Sequence, residues 1–233
     1  FDTQLARKIL NGYGPAKVIT ANNVFAHVDD ISDLTCGVRS LLGKDGSFVF
    51  EVSYLVDILQ KTLFDTIYHE HVSYWRLGPM IHLFRNHGLQ VVHAERVPLH
   101  HGQLRVFVQR QEEGKPEQSV EDILAFEKEI GMDKFQTFCT FTEKIQTIKT
   151  ELHGLIHSLL NKKKRVAAYG APAKGNTLLT FLEIGPNLIE YIADRNQLKQ
   201  GRFTPGTHIP VVSPDRLIMD PPEKPEGNLR TGF

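Results

Sequence analysis

The stretch Ala16-Lys17-Val18-Ile19-Thr20-Ala21, which first indicates the fold class, runs directly into Asn22-Asn23-Val24-Phe25-Ala26-His27-Val28. Short, β-branched, apolar segments of the first kind are typical of buried strands in parallel sheets. In open α/β sheets, ligands bind just beyond the carboxyl ends of the strands. The two amides and the imidazole that follow are therefore a candidate site, although a plain polar turn capped by Asp29 or Asp30 would carry the same residues.

Helical and strand patterns alternate on both sides of this stretch, as they do in α/β proteins. Apolar spacing, glycine stops and β-branched runs define the individual elements. They are helices at residues 4–12, 31–42 and 78–87, a glycine turn at 43–46, and strands at 16–21, 47–52, 89–97 and 103–108. The last two strands are joined by so little chain that they must pair antiparallel.

A change of composition at residues 111–119, where the chain becomes charged and contains glycine and proline, predicts a domain border. A long helical region follows at 120–161, with apolar residues that we interpret as a packing face. Gly131 and Gly154 predict that this region is not one uninterrupted rod.

The last part of the chain repeats the order strand, glycine turn, helix, strand, which predicts a second Rossmann-like unit. A strand at residues 165–169 leads into Gly170-Ala171-Pro172-Ala173-Lys174-Gly175-Asn176-Thr177, and a further strand spans 188–193. Backbone amides at such a turn favour a phosphate or carboxylate, and Lys174 adds a positive charge. The order of residues is not that of a P-loop, and a tight βα turn without a ligand is the alternative. The tail after Asp215 is predicted to be frayed.

The densest chemistry in the chain lies in Phe64-Asp65-Thr66-Ile67-Tyr68-His69-Glu70-His71-Val72-Ser73-Tyr74-Trp75. Two imidazoles, a carboxylate and a phenol can abstract a proton, fix the tautomer of the base and donate to an oxyanion. A polar loop over the core is one alternative. A metal site is another, because His69 and His71 would point the same way in an extended segment. Without a nearby cysteine pair or spaced carboxylate to complete it, we predict no metal.

Composition narrows the possible classes of function. The chain has 233 residues with 27 basic and 27 acidic side chains, so no surplus charge points to nucleic acid or to an anionic membrane. We find no apolar run long enough to span a membrane and no signal peptide, and Cys36 and Cys139 follow no metal or redox spacing. These features predict a cytoplasmic protein. Because the chain opens on Phe1, we expect it to be part of a longer protein.

Four motifs together give the chain a resemblance to a known family. Residues 22–28, 64–75, 170–177 and 206–210 resemble S-adenosylmethionine-dependent sugar C-methyltransferases, which methylate carbon 3 of nucleotide-linked 4-keto deoxysugars. The resemblance covers nearly all of residues 1–215. It implies an α/β fold: a partial class I methyltransferase Rossmann-like sheet, then helices, then a second Rossmann-like α/β domain. The zinc-binding N-terminal domain of the family and the first methyltransferase strands, with their glycine-rich cofactor loop, have no counterpart here.

The resemblance also implies domain borders. We expect the C-terminal part of a class I methyltransferase domain at residues 1–112, a helical linker region at 113–164 and a Rossmann-like C-terminal domain at 165–233 that is incomplete at its end. Zinc is expected only with the absent N-terminal domain. The strand at residues 16–21 would border the missing first strand, so its edge is expected to be unpaired.

The site residues implied by the resemblance fall into three groups. The catalytic group is His71 as general base at the sugar carbon, Tyr68 assisting proton transfer or stabilising the enolate, and Glu70 and His27 orienting base and substrate. The cofactor group, close to S-adenosylmethionine, is Asn22 and Asn23. The third group contacts the pyrophosphate or nucleotide and consists of Lys174, Asn176, Arg195 and Arg202.

The expected partner is a small nucleotide-sugar substrate, with no nucleic acid and no membrane, and the protein is expected to be a monomer. Methylation of a carbon next to a ketone requires that its proton leaves first, which agrees with a base and an oxyanion donor at residues 68–71. The alternatives are a nucleotide-sugar binding fragment that lacks catalysis and a related O- or N-methyltransferase.

Overall fold

A computed structural model describes residues 1–222, which cluster into two compact units. The first unit contains Phe1–Leu63 and His69–Thr142, and the second contains Phe64–Tyr68 together with the chain from Glu143 onward. The short segment Phe64–Tyr68 thus belongs to a different unit from the residues on either side of it.

The first unit is built on a four-stranded mixed sheet. Its elements are α1 (Thr3–Tyr13), β1 (Ala16–Asn22), α2 (Ile31–Leu41), β2 (Leu42–Ser53), α3 (Leu55–Gln60), α4 (Leu77–Asn86), β3 (Leu89–Val97), β4 (Gln103–Arg110), α5 (Gln118–Glu129) and the start of α6 (Phe135–Asn161). The strand order is β1-β2-β4-β3. β1 and β2 run parallel, whereas β4 pairs antiparallel with both β2 and β3, which confirms the predicted antiparallel pair.

Within residues 1–222, β1 lies at the edge of this sheet, as expected, and none of its residues is buried. The predicted glycine turn at 43–46 is wrong in form, because these residues lie within β2 as an irregularity. The register jumps from Ala16 opposite Leu42 to Val18 opposite Ser47, so the extra residues of β2 are accommodated as a bulge.

The helices after residue 112 depart from the predicted borders. α5 packs on β3 and α4, and its Val120 and Ile123 are buried in the core of the first unit. The chain divides instead at Thr142, inside α6. The helical region breaks at Gly131, as expected, because this residue has a φ of 73°. α6 continues through Gly154, however, where a Cβ would meet nothing within 4 Å.

The second unit carries a small parallel sheet. Its elements are the remainder of α6, β5 (Ala168–Tyr169), α7 (Ala173–Phe181), β6 (Ile192–Ala193), β7 (Val211–Val212) and α8 (Arg216–Met219), with strand order β5-β6-β7. The predicted strands at 165–169 and 188–193 are therefore shorter than expected. The alternation of strand and helix confirms the Rossmann-like α/β class.

The prediction of a frayed tail after Asp215 is wrong for residues 216–220. α8 covers four residues there, and the Arg165 guanidinium binds the Asp220 carboxylate, with Nη2 to Oδ2 at 2.8 Å. This ion pair fixes residues that composition alone marks as loose. Residues 223–233, which complete the predicted tail, lie outside the described part of the chain.

Candidate active site

The carboxyl ends of β1 and β2 lie side by side at one end of the first unit's sheet, because the two strands are parallel and Asn22 lies opposite Glu51. This end of the sheet is called the sheet edge below. Asn23 comes next and has a left-handed φ of 54°, a conformation that asparagine tolerates better than most residues. Its backbone N–H donates to the Glu51 carbonyl at 3.0 Å. Both asparagine side chains are exposed, so the sheet edge presents two amides to solvent.

A buried glutamine supports this edge from the neighbouring antiparallel strand. Gln103, the first residue of β4, lies opposite Ser53 at the end of β2 and is only 1% exposed. Its Nε2 donates to Asn23 Oδ1. Its Oε1 is buried without a hydrogen-bond partner in the described residues. A buried acceptor without a donor lowers the stability of the fold, so Gln103 is better explained by a role in the site than by a contribution to stability.

A short 3₁₀ turn, Phe25–His27, places the first predicted histidine. Phe25 is fully buried and stacks on Phe50, with ring centroids 4.4 Å apart, and it also contacts Trp75 at 5.1 Å. The Ala26 carbonyl accepts from the backbone N–H of Val72 at 2.9 Å. The turn and the extended chain at residues 71–75 are therefore held together by the hydrophobic core below them.

His27 and His71 lie side by side in the first unit. Their ring centroids are 4.9 Å apart with an angle of 33° between the planes, and Tyr74 meets His71 edge-on at 5.8 Å. The Nδ1 of His27 is 2.5 Å from the Glu70 carbonyl oxygen. Because a carbonyl oxygen only accepts, Nδ1 donates, and in the neutral ring the lone pair is on Nε2. Glu70 thus orients His27 through its main chain.

Tyr68 belongs to the segment that groups with the second unit. Within that unit, Phe64 is buried and packs edge-on against Phe181 of α7, with centroids 5.4 Å apart. The Asp65 carboxylate lies 3.6 Å from Lys174 Nζ, near the start of α7. The backbone N–H of Tyr68 donates to the Thr66 carbonyl at 3.1 Å. α7 therefore anchors the segment that carries Tyr68.

The glycine turn before α7 is tied to the end of β6. The backbone N–H of Ala171 donates to the buried Asp194 carboxylate at 2.7 Å, and so does that of Asn196, also at 2.7 Å. These two backbone hydrogen bonds, that of Asn196 above all, lower the pKa of Asp194 below its usual value. One of the amides predicted for an external anion is thus satisfied within the chain.

The remaining predicted nucleotide contacts lie on α7 and on the chain between β6 and β7. Asn176 is half-buried on α7. Arg195 and Arg202 are exposed, and neither side chain forms an ion pair within residues 1–222. Arg195 follows the carboxyl end of β6, where α/β proteins bind ligands. Arg202 instead lies beside β7, since its backbone carbonyl accepts from the N–H of Val211 at 2.8 Å.

Three residues of these two sites were missed by the sequence analysis as site residues. They are Gln103, Asp194 and Asp65. Asp194 had a signal, because an acidic residue directly after the second strand of a Rossmann-like unit is a known feature of such folds. Gln103 had none, since its partner Asn23 is 80 positions away.

The described residues contain neither a cluster of metal-ligating side chains nor a membrane-spanning helix. No group of three or more His, Cys, Asp or Glu side chains in residues 1–222 could hold a metal ion. None of the helices in that range combines the length and hydrophobicity required to cross a membrane.

The chain is similar to known methyltransferases over most of its length. Residues 98–224 match the model of the C-methyltransferase C-terminal domain, and residues 1–94 match a model of a methyltransferase domain. The C-methyltransferase NovU of Streptomyces niveus is 35% identical over 226 residues, which are 96% of this chain and 53% of that protein. The chain thus spans about half the length of this curated relative.

Solved structures resemble the chain only distantly. A SAM-dependent methyltransferase from Anabaena variabilis shares 14% identity at a TM-score of 0.37, covering 47% of this chain and 55% of its own. The magnesium protoporphyrin IX methyltransferase of Synechocystis, solved with bound SAH, shares 8% identity at a TM-score of 0.33, covering 43% of this chain and 48% of its own.

Proposed function

Because this chain belongs to the C-methyltransferase family, we propose that it forms part of an S-adenosylmethionine-dependent enzyme that methylates carbon 3 of a nucleotide-linked 4-keto deoxysugar. The expected membership of a methyltransferase family is confirmed by both family matches. The sugar, the position of methylation and the roles of individual residues are our proposals. The observation that carries them is the pair of His27 and His71 beside the carboxyl end of β1.

The proposed chemistry starts with removal of a proton. Carbon 3 lies next to the 4-keto group, so loss of its proton gives an enolate whose charge is on the former carbonyl oxygen. In our proposal His71 takes this proton, and Tyr68 donates a hydrogen bond to the enolate oxygen. His27, held by the Glu70 carbonyl, presents the unprotonated Nε2 of its neutral ring as an acceptor that orients the base or the sugar. Methyl transfer to oxygen or nitrogen would need no enolate. A site with both a base and a donor to the enolate oxygen therefore favours methylation of carbon.

The methyl donor fits the polar edge beside β1. When bound, S-adenosylmethionine supplies an electrophilic methyl group on a positively charged sulfur. Its ammonium and hydroxyl groups need acceptors, and the exposed amides of Asn22 and Asn23 offer them. The Oε1 of Gln103, whose amide N–H donates to Asn23, has no donor among the described residues. Asn22 and Asn23 would hold the donor, and Gln103 would hold Asn23.

Proton and charge balance in this scheme. His71 ends the reaction protonated, the carbon 3 lone pair forms the new carbon–carbon bond, and the carbon–sulfur bond breaks to leave a neutral thioether.

The residues of the second unit bind the nucleotide in our proposal. Lys174, Asn176, Arg195 and Arg202 supply positive charge and amide donors for the pyrophosphate or base. We propose that the protein is cytoplasmic and monomeric.

The experiment that tests the proposal is deuterium exchange without the methyl donor. The chain is incubated with a thymidine-diphospho-4-keto deoxysugar in deuterated water, and the carbon 3 proton is followed by NMR. We expect the native protein to exchange this proton and His71→Gln to lose the activity by about 10²-fold or more, the usual size of general-base catalysis. His87→Gln, on a histidine outside the site, is the matched control and should exchange normally.

Absence of exchange by the native chain would contradict the proposed base. In that case, binding of thymidine diphosphate without exchange would favour the alternative of a nucleotide-sugar binding fragment. The observation that favours this alternative is the exposed side of β1, where Val18 is 63% exposed and no second described strand pairs with β1.

A further inference from the structure

We propose that the β3–β4 turn, residues 98–102, is a further part of the active site, in which His100 and His101 bind the sugar of the substrate. The inference rests on the proposed function, because the sugar nucleotide is the substrate proposed there. It concerns residues of the first unit alone. In this scheme the two histidines contact the sugar, and proton removal stays with His71.

The first observation is that the turn lies at the sheet edge. β4 runs antiparallel to β2, and its first residue, Gln103, pairs with Ser53 at the carboxyl end of β2. One residue beyond β2, the backbone N–H of Tyr54 donates to the Gly102 carbonyl at 3.3 Å. The turn is therefore hydrogen-bonded to the end of β2, beside the polar groups that follow β1 and β2.

The segment that carries His71 is bonded to the same point of the chain. Tyr54 forms a parallel bridge with Trp75, and the backbone N–H of Leu55 donates to the Trp75 carbonyl at 2.9 Å. The end of β2 thus has the turn as one neighbour and residues 71–75 as another. A substrate that lies over this end within reach of His71 would also meet the turn.

The second observation is the backbone conformation of the turn. Its last three residues have left-handed φ angles, which are 45° at His100, 72° at His101 and 128° at Gly102. Glycine adopts such angles without strain, and at Gly102 a Cβ would collide with the Asp57 carboxylate. The two histidines, by contrast, occupy positions where glycine would cost less free energy. Strained residues of this kind are concentrated at functional sites.

The third observation is that the turn is held without help from the two imidazoles. The Gly102 N–H donates to the Leu99 carbonyl at 2.8 Å, and Lys61 Nζ donates to the His101 carbonyl. Lys61 also pairs with the buried Asp57 carboxylate at 2.8 Å. His100 and His101 themselves are exposed. The backbone of the turn is therefore fixed, while both histidines remain accessible to a ligand.

The residue after the turn is independent evidence for a ligand at the sheet edge. Gln103 is 1% exposed, its Nε2 donates to Asn23 Oδ1, and its Oε1 has no donor among the described residues. A buried polar side chain that is only partly satisfied lowers stability. Such a residue is therefore better explained by a binding site than by a plain hairpin.

The chemistry of the turn suits a sugar. A neutral imidazole has one donor and one acceptor nitrogen, which matches hydroxyl groups that both donate and accept and a keto oxygen that accepts. The methyl donor is placed elsewhere by our proposal, beside Asn22 and Asn23 after β1. In the strand order β1-β2-β4-β3, the turn lies on the other side of β2. We therefore assign the turn to the sugar.

The test compares binding of a thymidine-diphospho-4-keto deoxysugar with binding of thymidine diphosphate, measured by calorimetry on the native chain, His100→Gly and His101→Gly. Glycine accepts the left-handed φ, so both variants should fold with an unchanged or higher thermal midpoint. We expect each to bind the sugar nucleotide about three- to tenfold more weakly, the effect of one lost hydrogen bond. Binding of thymidine diphosphate should not change.

Two further variants separate the imidazole from the backbone. His101→Asn tolerates the same φ and keeps a donor and an acceptor, so it should retain part of the affinity that His101→Gly loses. Asp45→Gly is the matched control, because Asp45 is also exposed and left-handed, with a φ of 55°, but lies near the start of β2 at the opposite end of the sheet. It should bind both ligands as the native chain does.

Unchanged binding of the sugar nucleotide by both glycine variants would overturn the proposal. An equal loss for thymidine diphosphate would overturn it too, and a loss confined to S-adenosylmethionine would assign the turn to the methyl donor instead. The proposed function fails in a different way. A native chain that binds the sugar nucleotide without exchanging the carbon 3 proton lacks the proposed base, yet its variants still test the turn. A native chain that does not bind the sugar nucleotide would overturn both proposals.

Discussion

Two residues of the candidate site show how single hydrogen bonds assign a role. The Glu70 carbonyl fixes the proton of His27 on Nδ1, so only Nε2 of the neutral ring is available to a substrate or a neighbouring base. Gln103 reaches Asn23 with its amide N–H and leaves its own oxygen unpaired. The first contact orients the His27 ring and the second positions the Asn23 amide. The second also lowers stability, because it leaves the buried Oε1 of Gln103 without a donor.

We predict that Gln103→Met stabilises the first unit. The buried Oε1 costs about 1–3 kcal/mol without a donor, while the lost hydrogen bond to exposed Asn23 contributes about 0.5–1.5 kcal/mol. The balance is a gain on the order of 1 kcal/mol, measured by urea unfolding. Gln109→Met on the same strand is the control and should not stabilise, because Gln109 Nε2 donates to Ser47 Oγ at 3.1 Å. Equal effects of the two variants would contradict this reading.

At the scale of secondary structure, a single buried carboxylate connects α5 to α4. Glu127 is 1% exposed, and its Oε1 accepts from the backbone N–H of Leu77 at 2.6 Å and from the Tyr54 hydroxyl at 3.1 Å. Its Oε2 accepts from Gly78 N–H at 3.2 Å and from the Arg76 guanidinium at 3.1 Å. Glu127 thus caps the first turn of α4 from a distant helix. Burial first, and then the Glu127 charge, raises the pKa of Tyr54.

We predict that Glu127→Gln destabilises the protein by roughly 3 kcal/mol or more, because breaking a buried ion pair leaves charges and donors uncompensated. Thermal unfolding followed by circular dichroism would measure the loss. Glu129→Gln, an exposed position on the same helix, should stay within about 0.5 kcal/mol of the native chain. A small effect at both positions would show that α5 is an independent linker, as its composition first indicated.

At the scale of the whole molecule, acid should weaken the second unit through carboxylates whose pKa is lowered in the folded state, among them Asp194, Glu190 and Asp220. Backbone hydrogen bonds lower the pKa of Asp194, and hydrogen bonds from Arg165 lower the pKa of Glu190 and Asp220. A carboxylate whose pKa is lower in the folded state stabilises the protein above its unfolded pKa of about 4. That stability is lost as the pH falls through the lowered folded values.

Asp194→Asn tests this pH dependence. Near pH 7 the variant should lose roughly 1.5–3 kcal/mol, the range for hydrogen bonds to a charged group. Its stability should approach that of the native chain at low pH, where native Asp194 is protonated as well. Urea unfolding at neutral and acidic pH gives both values. A difference that does not shrink in acid would show that the effect arises from packing and not from charge.

Much of the architecture was predictable from local patterns. Strand and helix periodicity predicted the α/β class, the short connection predicted the antiparallel pairing of β3 with β4, and Gly131 marked the end of one helix. The wrong predictions share a cause. The Gly43–Gly46 segment joins β2 because β1 pairs beside it, and residues 216–220 are ordered because Arg165 binds Asp220. In both places, partners far away in sequence override local composition.

The sequence by itself determined the family, the alternation of strands and helices and the dense polar motif at residues 64–75, because these depend on residue order within short windows. Only the tertiary structure decided that this motif divides between two units after Tyr68, that Gln103 supports Asn23, and that Asp65 holds Lys174. Such pairings depend on strand register and helix packing. Residues distant along the chain meet there, and no local pattern records which of them will do so.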